Sequence, residues 1–360
     1  MTPIVLDTNF EVAGYVDVFT SFIWTERMRE CGDFEIYVPY EYADLNILVP
    51  NNYVALHDTD CLMIIESIEI QTDNTDGASY VLVSGRSIES ILDRRIIWGQ
   101  TMLKSTFQNG IQKLLNENII NPSNASRRIS NFVFIPANDV APFNEDLEVQ
   151  YFGENLYDMI VEACAAYDCG FKIRLDNQKR FAFSLFAGVD RSYDQDTNPW
   201  IAFSPEFENL SGSNYFESYQ PYKTAVMVAG EGETADRVII EVNSDSTITG
   251  LNRRESYVDS SSVSKFYYDD DDERQELTER EYEAQLVQSG EDALADATIS
   301  TAFEGQIETN RMYKYGTDYF IGDLVQVINE FGLSAKCRVS EVVRSSDDTG
   351  ESTSITFEQY

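Results

Sequence analysis

Across residues 1–98 apolar and polar positions alternate in short runs. "YVDVFTSFIW", "DFEIYVP", "YVALHD", "CLMIIESIEI" and "SYVLVSG" are rich in β-branched and aromatic residues and are separated by Gly, Asn and Asp, which predicts strands. The "TDNTDG" between the last two predicts a hairpin turn, and "SIESILDRRI" after them a short helix. From 99 to 208 the period changes. "STFQNGIQKLLNENI" carries apolar residues at helical spacing behind a candidate cap, Ser105, and "NLYDMIVEACAAYDCG" predicts a second amphipathic helix that stops at Gly170. Two strands, "FKIRL" and "RFAFSLF", follow around the turn "DNQK". From 209 onward strands return in "TAVMVAG", "RVIIEVN" and "RRESYVD". After the acidic stretch "DDDDERQE", a helix is expected at "LTEREYEAQL", where Thr278 and Glu281 have capping-box spacing, running to about Thr298.

The closing strands repeat the opening ones. Asn51–Gly85 and Ile321–Gln359 both read strand, short loop, strand, Asp/Gly hairpin, strand, in the same hydrophobic phase. The predicted fold class is α+β, mainly β. Two similar β-barrel domains, 1–98 and 209–360, flank an α/β domain of helix plus β-hairpin at 99–208. The second barrel carries the acidic linker and a helical insertion at about 269–300.

Charge changes the picture of what the chain touches. Its 360 residues include 62 acidic against 26 basic side chains, a net −36. Binding a nucleic-acid backbone requires Lys and Arg to displace counterions, so this composition argues against DNA binding and against anionic lipid surfaces. "MTPIVLDTNF" lacks the basic-then-apolar pattern of a secretory signal, and no apolar run approaches the ~20 residues that span a bilayer. Five cysteines, an odd number spread from Cys31 to Cys337, make no disulfide framework, so synthesis in a reducing cytoplasm is expected.

Candidate chemistry is sparse. His57 is the one histidine, too few for a two-histidine metal site, and reads as a polar residue at a strand edge. Cys164 and Cys169 lack a second ligand pair and read as buried small hydrophobes. Gly230–Glu233, "GEGE", lacks the lysine of a phosphate loop, and its acids would repel phosphate. Asp269–Asp272 lacks the alternation of a calcium loop and reads as solvated linker; Asp190, Asp194 and Asp196 in "DRSYDQD" form a somewhat better cation candidate. No carboxylate pair stands out as glycosidase machinery. No catalytic, cofactor-binding or metal residue is assigned, and no enzymatic activity or cofactor is expected.

Six stretches in order carry a resemblance. "WTERMRECGDFEIYVP", "VSGRSIESILDRRII", "NLYDMIVEACAAYDCGFKI", "DRSYDQDTNPWIAFSPEFENL", "YKTAVMVAGEGETADRVIIEV" and "GDLVQVINEFGLSAKCRVSEV" cover nearly the whole chain. It resembles the siphophage tail-hub family: Gp37-like proteins and the front portion of tail-associated lysins and prophage tail endopeptidases, related to the baseplate hub of contractile-tailed phages. That resemblance implies a structural hub at the virion tail tip, a homotrimer whose paired barrels give a pseudo-six-fold ring. The ring would adapt the hexameric tail tube to the tip and enclose the channel through which DNA passes unbound. The implied partners are the distal tail ring protein, the tail tube protein, the tape measure protein and a tip fibre or receptor-binding protein, with no membrane anchor and assembly in the bacterial host cytoplasm. Relatives with lysin activity continue past the hub; here Tyr360 follows the last strand, so lysin activity is not expected. Arg27, Arg29, Arg86, Arg94 and Arg95, scarce cations in an acidic chain, are the candidate assembly-interface residues. A saccharide-binding tail adhesin, a carboxylate-based cell-wall hydrolase, and a hub from a contractile particle or tailocin remain alternatives.

Overall fold

The computed structural model describes residues 1–72, 79–138, 140–232, 237–268, 273–307 and 312–360. Helix accounts for 19% of the chain and strand for 40%, so the fold is α+β and dominated by strands. The chain forms two compact units: Met1–Ser90 with Phe171–Phe216 and Thr301–Tyr360, and Ile91–Gly170 with Glu217–Ser300. Among the described residues no helix is long and apolar enough to cross a membrane.

The first unit is built on a ten-stranded sheet. Its order is Leu210–Ser218, Ser300–Ile307, Gly350–Gln359, Ser334–Asp347, Ser21–Arg27, Asp33–Pro39, Ser79–Arg86, Ser67–Thr72. Leu324–Ile328 branches from Ser334–Asp347 and takes Ala202–Phe203 as a short parallel neighbour. The hairpin ends of the two predicted repeats thus lie in one sheet, on either side of the hairpin Ser21–Pro39. Among the described residues no sheet closes into a barrel.

Register explains the core. Trp24 stands opposite Phe34 and Phe22 opposite Ile36, while Ile36 and Val38 face Val83 and Val81, so these positions make one apolar, buried face across three strands. Burying each such side chain contributes about 1.5–3 kcal/mol. A second cluster, with Phe203, Tyr319, Val325, Val339 and Phe357 at its centre, fills the other end.

Two apolar runs that read as single strands are divided between sheets. "YVDVFTSFIW" contributes only its first residue, Tyr15, to the Val12–Tyr15 strand of a four-stranded sheet, and its last four to the Ser21–Arg27 strand of the large one. "CLMIIESIEI" is likewise split between Leu62–Ile64 and Ser67–Thr72. At the second corner the chains approach so closely that a Cβ on Gly85 would lie 1.8 Å from the Ile64 carbonyl oxygen, which requires glycine.

The second unit holds all three described α-helices: α1 (Phe107–Leu115), α2 (Leu156–Ala166) and α3 (Glu279–Asp296). Ala225–Ala229 pairs antiparallel with Ile239–Asn243 and parallel with Glu255–Asp259, and α3 packs on this sheet through Tyr282 and Leu286. A Cβ on Gly290 would come within 2.5 Å of Val242, so helix and sheet meet at a glycine.

Helix ends test the sequence reading. α3 has the expected capping box, with the Thr278 hydroxyl accepting from Glu281 N–H and the Glu281 carboxylate accepting from Thr278 N–H. α1 starts one residue later than the Ser105 cap implied: Thr106 is the N-cap, because Thr101–Thr106 is held as a strand against Asp146–Tyr151. α2 is capped by Asn155 and ends at Ala166; Asp168, at φ 48°, makes the left-handed turn before Gly170. The short helix in "SIESILDRRI" is a 3-10 segment, Ile88–Arg94. Most of the "TDNTDG" turn, Glu233 of "GEGE" and Asp269–Asp272 lie outside the described residues.

Candidate functional site

Two heavily bonded ionisable groups, Glu26 and Arg27, lie on the Ser21–Arg27 strand. Phe22 and Trp24 point into the core, and Glu26, two residues on, shares their face and is buried. Its Oε1 accepts from Trp24 Nε1 at 3.2 Å and Thr59 Oγ1 at 3.0 Å, and its Oε2 accepts from the Tyr315 hydroxyl at 3.0 Å. Burial, and then the Glu26 charge, push the Tyr315 hydroxyl well above the ordinary tyrosine range, so it stays a donor.

A small cavity of about 20 Å³ opens beside Glu26, lined among others by Cys61, Glu89 and Lys172. That is room for about one water. Glu89 sits at the start of the 3-10 segment and is buried, its Oε1 accepting from Ile173 N–H at 2.7 Å. Burial raises its carboxyl, and that hydrogen bond offsets part of the rise. Burial, followed by the charges of Glu26 and Glu89, drives the Cys61 thiol well above its usual range, so it is not a nucleophile at neutral pH. The carboxylates of Glu26 and Glu89 accept hydrogen bonds that pin strands and turns together.

Arg27 joins Asp33 at 2.5 Å, Glu341 at 2.6 Å and the Cys31 carbonyl at 2.9 Å, tying the Ser21–Pro39 hairpin to the distant Ser334–Asp347 strand. Arg29 reaches Glu358 at 3.4 Å, and Arg86 grips Glu66 through two nitrogens at 2.8 and 3.0 Å. Arg94 and Arg95 lie in the second unit; Arg94 is exposed, and Arg95 donates to the carbonyls of Arg127 and Arg94. The five are therefore dispersed over two units.

The aspartates of "DRSYDQD" do not share one task. Asp190 pairs with Lys336 at 2.6 Å and accepts from Ser192 N–H; although burial works the other way, these bonds hold its carboxyl below the usual range. Asp194 and Asp196 are exposed. Among the described residues no three His, Cys, Asp or Glu side chains come together to hold a metal ion. His57 is exposed just beyond the Tyr53–Ala55 strand, and Cys164 and Cys169 are buried and form no disulfide.

Sequence reading missed one central group. Asp323, 2% exposed, takes Arg191 Nε at 2.8 Å and the backbone N–H groups of Val189 and Phe320, locking 189–191 onto 320–323.

Fold and site together define a strand-rich α+β chain whose buried acids tie strands and turns together. The same fold is found in phage tail proteins. The 43 kDa tail protein of prophage MuSo2 from Shewanella oneidensis is 14% identical, with a TM-score of 0.60 over 99% of this chain and 98% of that one. A tail protein from Neisseria meningitidis MC58 is 14% identical, with a TM-score of 0.58 over 99% and 96%. Prophage tail protein gp18 from Listeria monocytogenes EGD-e is 13% identical, with a TM-score of 0.52 over 100% and 95%. The chain belongs to the Siphovirus ReqiPepy6 Gp37-like protein family, whose model matches residues 2–357. Comparison with curated proteins finds no match.

Proposed function

We propose that this chain is a structural hub subunit of a phage tail tip. The family match over residues 2–357 carries this reading, and the tail-protein fold supports it. In this reading the segments 1–98 and 209–360 form two similar barrel domains around an α/β domain. Three copies make a pseudo-six-fold ring between the hexameric tube and the tip. The ring contacts the tail tube, distal tail ring, tape measure and a tip fibre or receptor-binding protein, and performs no catalytic step. Three copies of a chain carrying −36 would surround the passage with negative charge, keeping DNA from adhering as it leaves. Replacing passage-facing carboxylates by Asn and Gln should then slow ejection.

Gold-labelled antibody raised against the chain tests the placement. Decoration at the distal end of purified virion tails is the expected result, with tails failing to assemble when the gene carries an early stop codon. Virions that lack the chain yet eject DNA normally would refute the proposal.

A further inference from the structure

Most cations of this acidic chain have a carboxylate beside them: Arg27, Arg86, Arg174, Arg180, Arg237, Arg253 and Arg344 are all in ion pairs. Four arginines of the second unit are arranged differently. Arg95 Nε donates to the Arg127 carbonyl at 3.0 Å and its Nη1 to the Arg94 carbonyl at 2.8 Å. Arg127 Nη2 donates to the Ile96 carbonyl at 2.6 Å and Asn118 Oδ1 at 3.1 Å, and its guanidinium lies 5.4 Å from the ring centre of Trp98. Trp98 is 67% exposed, and Arg94 and Ile96 before it in the chain and Arg128 after Arg127 are exposed as well. Among the described residues none of the four arginines makes an ion pair. Burial and then the neighbouring Arg95 charge lower the proton affinity of Arg127, as expected where guanidinium groups crowd without a counter-charge. An exposed tryptophan with an arginine guanidinium over its ring is the composition of an interface centre.

The same unit carries the complement. A groove of about 310 Å³ is lined by Glu154, Glu162, Asp292 and Asp296 along α2 and α3. Burial, and then crowding among these acids, push Glu162 up to about 7 and Asp292 up to about 6. Patch and groove adjoin in space, since Ile97 N–H donates to the Glu154 carbonyl. Yet no arginine of the patch pairs with Glu162 or Asp292 within one copy.

We infer that the Arg94–Arg95–Arg127–Arg128 surface, centred on Trp98, receives the Glu162–Asp292 groove of a second copy of this chain. The inference rests on the self-assembling hub reading. Each copy then offers one patch and takes one, a heterologous contact that closes into a ring when its rotation allows. At physiological salt the net repulsion between copies is screened beyond roughly 8 Å, so local complementarity decides the contact.

Sedimentation velocity of the full chain at several concentrations tests it, using positions that leave the backbone-bonded arginines intact. Arg94→Glu/Arg128→Glu and, separately, Glu162→Lys/Asp292→Lys should each weaken self-association about tenfold or more, and all four changes together should restore it. Circular dichroism melts certify that each variant folds. A benzophenone amino acid placed at Trp98 should cross-link to the α2 or α3 segment of another copy. Folded single-charge variants that associate like the wild type, or a cross-link mapping elsewhere, would overturn this contact while leaving the homotrimer standing. A wild type that stays a single copy both alone and when co-expressed with neighbouring tail proteins would remove the homotrimer reading itself. A short DNA duplex held by the wild type and released by Arg94→Glu/Arg128→Glu would also overturn the inference.

Discussion

On the Ser21–Arg27 strand, Phe22, Trp24 and Glu26 share one face because side chains alternate along a strand, so the sequence "FIWTER" already places an acid among core aromatics. Such a carboxylate is tolerated only if buried donors meet it, and Trp24, Thr59 and Tyr315 do. Glu26→Ala strands three donors and should cost about 3 kcal/mol, with Glu26→Gln costing less; a urea-denaturation loss under about 1 kcal/mol for the alanine variant would contradict this role. The donors themselves could not be read ahead, since Thr59 and Tyr315 are 33 and 289 positions away. Asp323 is the more extreme case, with its partner Arg191 132 positions off and no local pattern to announce it. Asp323→Ala should destabilise by about 3 kcal/mol, because it leaves half-buried Arg191 without its carboxylate and two backbone N–H groups without an acceptor. Adding Arg191→Leu should recover part of the loss in the same titration, and no recovery would assign the cost to the lost backbone contacts instead.

At the level of elements, what was legible is what is local. The capping box of α3 needs only Thr278 and Glu281 three residues apart, and it forms as expected. Thr278→Ala should cost about 1 kcal/mol, seen as a Tm lowered by a few degrees; an unchanged Tm would mean the helix is held by its packing on the sheet alone. The cap of α1 was displaced because the preceding strand's length is set by a partner forty residues on, Thr106 pairing with Asp146. The long apolar runs misled for a related reason: alternation continues through a corner, so periodicity cannot say where a strand changes sheets.

The groove along α2 and α3 makes a pH prediction with a definite sign. Glu162 at about 7 and Asp292 at about 6 both lie above the ordinary carboxylate range, so the folded state holds more protons than the unfolded chain. Their contribution to stability is full below about pH 4 and is lost as pH rises towards pH 7. Glu162→Gln, measured on dilute protein, should therefore raise Tm more at pH 8 than at pH 5. Equal shifts at the two pH values would show that the groove is better solvated than its geometry implies.

Over the whole molecule, the chain folds by returning to itself. Ser334–Asp347 pairs with Ser21–Arg27, Arg27 clamps Glu341, and the large sheet draws on residues from Ser21 to Gln359. Composition and six ordered stretches sufficed for the family, and alternation sufficed for a strand-rich α+β fold. The interleaving of two units depends on pairings separated by hundreds of residues, which no local pattern encodes. The acidity also belongs to this scale, as a net −36 acts through the summed field and not through any one site.

The central claim is that this scaffold assembles into a tail-tip ring, and native mass spectrometry across a concentration series, with negative-stain images of the same fractions, tests it most directly. The account predicts the mass of three copies and a three-fold ring with a central channel, alone or when co-expressed with neighbouring tail proteins. A single-copy mass under both conditions would contradict it.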